Sequence, residues 1–340
     1  INFGWIEFLY CHRVSYPVYT PSVLLTDGEQ MKLTNKFNLP QTLINLHEKQ
    51  RKDYSETRGD ADVSVTQIIR PPRIDMLRKE HFKDMEEDLS DRLWAILGTV
   101  IHVVMVDGAD EEHIPEENLF IEIEGWILKG GIDVQHIGVD DNNQIHVRIL
   151  DYKFTRAIKY QKKDYQDWQE QLNCYAYMVT KCKGYIVDGI DVVMFVRDFS
   201  GASAERDKSY PPASCCVVDI HLWSVSKQEE FIRERILEHQ DARRRVEWGE
   251  DLLECSDHHR WKRPDEWTVQ KPGAKRASKV TKTEAEADEW RQTKKKPDEY
   301  EVTIRKGHPS RCEGDWCGVS RWCDQWLAEK KEMEDAEAKE

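Results

Sequence analysis

Hydrophobic positions along this 340-residue chain change period several times, and each change marks a predicted element. Val65-Thr-Gln-Ile-Ile-Arg-Pro-Pro predicts an extended or capped entry to a helical stretch ending near His81. Between Leu89 and Met105, apolar residues at Leu93, Trp94, Leu97, Val100, Ile101 and Val104 keep helical spacing. The period then drops to two. Phe120-Ile-Glu-Ile-Glu alternates, Gly130-Gly131 punctuates, and Ile132 to Ile137 forms a second strand-length run. Asp140-Asp-Asn-Asn makes a turn, and His146-Val-Arg-Ile-Leu-Asp-Tyr-Lys completes a three-stranded meander. Trp168, Leu172, Tyr175 and Val179 line one side of the next helix. Asp191-Val-Val-Met-Phe-Val and Cys216-Val-Val-Asp-Ile read as two further strands, followed by a long charged helix from Val225 to Glu247.

Residues 261–306 follow a different pattern. Trp267-Thr-Val-Gln, a Pro272-Gly273 turn, Arg276-Ala-Ser-Lys-Val, a helix through Glu284-Ala-Glu-Ala-Asp-Glu-Trp and Tyr300-Glu-Val-Thr-Ile predict a ββαβ minidomain. The Glu/Lys/Ala tail at 327–340 predicts a fraying helix. The first thirty residues show no clear period, and Met31-Lys-Leu-Thr-Asn reads like the opening of a protein. Two readings of 1–30 stand side by side: a leader foreign to the fold, and an N-terminal strand pair through Phe8-Leu-Tyr and Val23-Leu-Leu. The expected organisation is therefore a leader at 1–30, an N-terminal segment at 31–60, a core at 60–247 and a cysteine-bearing region at 248–326 that contains the minidomain.

A chain that is 39% hydrophobic and 34% charged can bury a core beneath a heavily charged exterior, which excludes fibrous and wholly disordered classes. Stretches such as Leu93 to Val106 stop short of the roughly 18 apolar residues that a membrane span needs. No membrane partner is expected. The start has no signal-peptide pattern, so a reducing cytoplasm is the expected compartment. The net charge of -14 argues against a generally nucleic-acid-coated surface. Residues 153–163 nevertheless place Lys153, Arg156, Lys159, Lys162 and Lys163 together with no acid among them. Taken alone, such a run is more often a solvated face than a DNA contact.

Alternation puts Asp151 and Lys153 on one face of their strand, with Asp133 on the neighbouring strand able to join them. Two carboxylates and a lysine at one point suit phosphodiester hydrolysis. The acids hold a hard divalent cation, and the ammonium stabilises charge on the phosphate. The bland alternative is a surface salt bridge, since Asp-x-Lys occurs freely by chance. Glu122 and Glu124 are further candidate acids, with a solvated sheet face as their alternative.

Several motifs then fall in order: Leu97-Gly98-Thr-Val-Ile-His102, Gly-Gly-Ile-Asp133, Ile-Leu-Asp151-Tyr-Lys153 and Gln171-Leu-Asn-Cys-Tyr175. Across about residues 95–180 this order resembles the RecB-like branch of the PD-(D/E)XK nuclease superfamily, particularly its phage-encoded members. The resemblance implies an α/β restriction-endonuclease-like core, a central mixed sheet flanked by helices. It also implies a Mg²⁺- or Mn²⁺-dependent deoxyribonuclease, an exonuclease by type, acting in phage recombination, repair or DNA-end processing. His102, Asp133 and Asp151 would hold the metal, Lys153 would be the catalytic lysine, and Gln171 and Tyr175 would orient the lysine or the DNA backbone. Arg156, Lys159, Lys162 and Lys163 would contact phosphates. Implied partners are DNA and a recombination or helicase protein, in an infected or bacterial host cell. For Tyr175 a packing role stands beside the functional one, as a buried histidine does for His102.

Cys312, Cys317 and Cys323 form a tight trio, with Cys255 upstream. Four thiolates satisfy either tetrahedral Zn²⁺ or a [4Fe-4S] cluster. The RecB-like branch includes nucleases with such clusters, which favours iron-sulfur, although here Cys255 follows the core and the trio begins with a four-residue spacer. His258, His259 and His308 are alternative zinc ligands. Cys11, Cys174, Cys182, Cys215 and Cys216 read as structural. Two other classes compete with the nuclease reading: a catalytically silent DNA-binding or assembly subunit of the same fold, and a metal-stapled protein-interaction module. Oligomeric state is not legible in the sequence.

Overall fold

The computed structural model describes residues 31–57 and 59–337, so both readings of residues 1–30, and Cys11 with them, lie outside the described residues. Two compact units emerge. One runs up to Pro72 and resumes over Phe82–Glu247, and the other combines Arg73–His81 with Trp248 onward.

The first unit begins with β1 (Lys32–Thr34), α1 (Gln41–Thr57), β2 (Val63–Ser64), α2 (Val65–Ile68) and the opening of α3 (Pro72–Glu80). It continues through β3 (Glu86–Asp88), α4 (Leu93–Asp107), β4 (His113–Ile123), β5 (Trp126–Val139) and β6 (Ile145–Thr155). After the short α5 (Ala157–Lys162) come α6 (Gln166–Lys183), β7 (Ile186–Val196), α7 (Gly201–Arg206), β8 (Cys215–Ile220) and α8 (Val225–Trp248). The meander is present as β4-β5-β6, all antiparallel, and its strands are longer than the alternation alone suggests. α6 then crosses over so that β7 lies parallel to β6, and β8 closes the sheet.

Both edges of β5 are used, and one of them unevenly. β4 accompanies it from Trp126 to His136. On the other edge, β2 pairs at Leu128–Lys129 and β6 pairs from Val134 to Val139. Gly130 to Asp133 therefore face an interval in which no described strand continues the ladder. Past Leu150, β6 leaves β5 and keeps only its ladder with β7, through Thr155.

One buried cluster joins Leu128, Ile132 and Ile149 of the sheet to Leu172 and Met178 of α6 and to Ile232 and Ile236 of α8. α6 can sit this close because Gly130 has no side chain; a Cβ there would lie 2.7 Å from Met178 Sδ and 3.2 Å from the Tyr175 ring. Helix α4 stays outside this cluster, with only Ile96 and Thr99 buried. Together with the short turn before it, the helical stretch Leu89–Asp107 reaches 19 residues and is, by length and composition alone, long and apolar enough to cross a membrane. The expectation that no segment attains that length is corrected here: the helix starts before the apolar run and admits Asp91 and Arg92. Its His102 is nonetheless tied to β4 and β5, which makes the helix a working part of this fold.

The second unit contains the ββαβ arrangement as β9 (Glu266–Gln270), β10 (Lys279–Thr281), α9 (Glu284–Gln292) and β11 (Glu301–Arg305). The strands are antiparallel in the order β10-β9-β11, and Val269 and Ala287 are fully buried between sheet and helix. Thr283 caps α9 by accepting the Glu286 N–H. α10 (Ser310–Glu313) and α11 (Asp324–Glu337) complete the unit. α3 belongs here through its side chains. Arg73, buried, donates to the Leu252 and Leu253 carbonyls and to Asp324, and His81 stacks on Trp322 at 4.7 Å.

Gly130→Val should push Met178 and Tyr175 aside and cost about 1–3 kcal/mol by overpacking. The denaturant midpoint checks this, and an unchanged midpoint would show that α6 does not rest on β5 as described.

Candidate active site

The interval on the β5 edge is where chemistry-bearing side chains gather. Counting outward from the two-residue Glu124-Gly125 turn, both residues at positive φ, places Glu116 of β4 opposite Asp133 of β5. The ladder pairs Pro115 with Val134 and Glu117 with Ile132 but passes over these two. Glu116 itself has φ 50°, a left-handed conformation costly for a residue with a side chain. That irregularity sends its carboxylate to His102, whose Nδ1 lies 3.3 Å from Glu116 Oε1 and 3.5 Å from Asp133 Oδ1. One ligand atom from each of His102, Glu116 and Asp133 falls within 4.8 Å of the others.

Asp133 also replaces the missing ladder. Its Oδ2 accepts the Tyr152 N–H at 2.7 Å, which ties β5 to β6 after their backbone pairing has ended. The adjacent Asp151 is 1% exposed. Its Oδ1 takes a 3.4 Å hydrogen bond from Gln171 Nε2, and its Oδ2 lies 2.7 Å from the Lys153 ammonium. That short ion pair with Lys153 is what compensates the buried Oδ2. Gln171 is held in turn by the Tyr175 hydroxyl, 2.8 Å away and one turn along α6. The Tyr152 ring meets the His102 ring edge-on at 5.9 Å.

Electrostatics follow from this crowding. Burial disfavours a charged imidazole at His102, but Asp133, Glu116 and Asp151 together outweigh it and raise its pKa to about 9. Burial and the neighbouring Asp151 carboxylate push Asp133 upward against the pull of His102 and Lys153.

His102, Asp133, Asp151, Lys153, Gln171 and Tyr175 thus come together. Glu116 is the residue that pattern reading misses: Pro115-Glu116-Glu117 looks like a loop, and the visible alternation starts only at Phe120. Turn-anchored register counting is the signal that finds it. Glu122 pairs with Ile127 far along β4, and Glu124 is in the turn, paired with Arg233, so neither belongs to the site. The basic run is partly neutralised, with Arg156 3.3 Å from Asp198 and Lys159 2.7 Å from Asp167. Lys162 and Lys163 are exposed.

In the second unit, Cys255, Cys312, Cys317 and Cys323 belong to the described residues, and no three of their sulfurs lie within 4.8 Å of one another. Burial pushes Cys255 up to about 12, and Cys323, Cys317 and Cys312 add to the shift. Burial likewise raises Cys312, which Arg260 opposes, and Cys317. Gln325 clasps Cys255 from α11, its Oε1 accepting the Cys255 N–H at 2.9 Å and its Nε2 donating to the carbonyl at 3.0 Å. His308 lies 3.2 Å from Glu313, and His259 bonds Ser256.

No family model matches the chain, and no curated protein matches it. Among solved structures, the protein SSO0001 aligns with 58% of this chain and 86% of its own, at 16% identity and a TM-score of 0.40. A protein described as "Putative exonuclease" from Eubacterium rectale aligns with 50% of this chain, at 15% identity and a TM-score of 0.29. The matched region spans 61% of that protein, less than two thirds of its length.

In metal-free protein, His102 should hold its proton through neutral pH and titrate near pH 9. Because its folded pKa lies above the ordinary 6.5, its ion pairs support the fold fully below that pH and lose effect as pH rises towards 9. Glu116→Gln should move the midpoint down. An NMR titration decides it, and a wild-type midpoint at or below 6.5 contradicts the geometry.

Proposed function

We propose that the chain is a divalent-cation-dependent deoxyribonuclease that hydrolyses phosphodiester bonds. The observation that carries this reading is the convergence of His102, Glu116 and Asp133 within ligand distance of one another, with the Asp151–Lys153 pair beside them where β5 and β6 part. The donor set fits Mg²⁺ or Mn²⁺: hard carboxylate oxygens predominate and one imidazole is present. His102, Glu116, Asp133 and Asp151 would hold the ion. When bound, such a cation polarises a phosphate oxygen and makes a bound water more acidic.

The chain's own residues do the rest. Lys153, held by Asp151 at 2.7 Å, keeps a positive charge where negative charge builds on the phosphate. Gln171 orients Asp151, and Tyr175 orients Gln171, so the acid and lysine keep their geometry before substrate arrives. The exposed Lys162 and Lys163 suit contacts to the DNA backbone, which position a strand without reading its sequence. Exonuclease action in phage recombination, repair or end processing extends the same reading and rests on the motif resemblance.

The four-cysteine site is proposed as structural, with Cys255, Cys312, Cys317 and Cys323 all holding one centre. Buried thiols that raise one another's pKa stay protonated without a metal, and a metal reverses that preference. A [4Fe-4S] cluster is preferred to Zn²⁺ on the resemblance.

Asp151→Ala and Lys153→Ala should each abolish Mg²⁺- or Mn²⁺-dependent cleavage of end-labelled linear DNA while the fold persists. Full activity in either purified variant overturns the assignment. Protein purified without oxygen should contain iron with matching acid-labile sulfide. One zinc per chain would indicate the alternative metal, and neither metal in a folded preparation removes the site. Cys317→Ser should expose the segment after Arg305 to proteases.

A further inference from the structure

The minidomain's charge is opposite to that of the chain around it. Residues 261–306 carry thirteen basic and nine acidic residues, a net +4 within a protein of net -14. The excess is concentrated. Lys275, Arg276, Lys279 and Lys282 lie within eight residues that contain no acid, in the loop leading into β10, on β10 itself and just beyond it. All four are exposed, and β10 is an edge of its sheet.

Elsewhere in the minidomain, cations are largely matched by acids. Lys271 and Lys296 both reach Glu299 at 2.7 Å, Lys306 reaches Asp265 at 2.8 Å, and Arg291 reaches Asp288 at 2.8 Å. The four residues of the edge have no ion pair among the described residues. Glu286, four residues after Lys282, accepts the Lys282 backbone N–H at 3.0 Å. A lysine on an edge strand is a common guard against unwanted strand pairing. That role needs one charge, and here the cations begin in the loop four residues before the strand.

We propose that this edge binds the phosphate backbone of double-stranded DNA, as a second contact region belonging to the minidomain. The idea rests on the nuclease reading for its choice of polyanion. Charge complementarity carries it. The rest of the chain, at net -18 by difference, repels a polyanion, and half of the basic run on α5 and its flanks is already paired with Asp198 and Asp167. A surface of unpaired lysines and one arginine supplies affinity without sequence preference, and its contribution falls as salt rises.

The test uses the full chain and a long linear duplex in buffer free of divalent cations, so that no cleavage occurs. Binding is measured across a salt series for the wild type and for a variant with Lys275→Gln, Arg276→Gln, Lys279→Gln and Lys282→Gln. Each phosphate contact contributes about 0.9 to the slope of log affinity against log salt, so with all four lost the variant's slope should be shallower by about 3.6. A control with Lys271→Gln and Lys306→Gln, both ion-paired, should keep the wild-type slope. Equal slopes for the wild type and the fourfold variant, with melting temperatures unchanged, overturn the proposal, as does an equal fall in the control. Cleavage of a short oligonucleotide with Mg²⁺ separates the two ideas: it should persist in the fourfold variant, and its absence from the wild type would defeat the nuclease reading without touching the slopes.

Discussion

Asp133 is the residue on which the first unit's chemistry depends, because it stands where a sheet edge is shared by two strands that do not meet. β2 and β6 each take part of one β5 edge, and on that edge no described strand pairs with the residues between them. A side-chain carboxylate bonded to the Tyr152 N–H bridges that interval and leaves its other oxygen beside His102. The same opening admits Glu116 from one neighbouring strand and Asp151 from the other. Three carboxyl groups then face one imidazole and one ammonium, so the set lacks a positive charge whenever all of its members ionise. Burial makes that imbalance costly. The raised pKa values of His102 and Asp133 are the response of a metal-free site, and a divalent cation is the other way to satisfy it.

Much of this was legible because period and punctuation are local properties. The meander, the helix carrying Gln171 and Tyr175, and the ββαβ order all follow from alternation, helical spacing and Gly or Pro turns. Asp133, Asp151 and Lys153 could be placed near each other because strand alternation and short turns leave few alternatives. Glu116 was hidden because its backbone breaks the strand pattern at the point where it matters, with φ 50° after a proline. The pairing of Arg156 with Asp198 and of Lys159 with Asp167 was hidden for a different reason: at least one partner comes from beyond the basic run, and charge counting over a window cannot see it. The assignment of α3 to the second unit depends on the buried Arg73 finding carbonyls at Leu252 and Leu253, about 180 residues away, which no local pattern encodes.

The second unit shows how a small layer of sheet and helix can be held at both ends. Val269 and Ala287 form a narrow core, and the segment's flanks are drawn together by Gln325 on the Cys255 backbone and by Arg260 on Glu329. A metal at the cysteines would close the same loop covalently, where hydrogen bonds alone provide modest support. Within that frame, α9 and the paired acids leave the β10 edge as the place where positive charge is least compensated.

The central claim is that the interval between β5 and β6 is a divalent-cation site built by His102, Glu116, Asp133 and Asp151. Crystals soaked in Mn²⁺ test it through the anomalous difference map. The account predicts a peak within coordination distance of Asp133 and Asp151, with Glu116 or His102 completing the set. A map with no peak there, and with His102 still paired to Glu116 and Asp133 at saturating Mn²⁺, would contradict it.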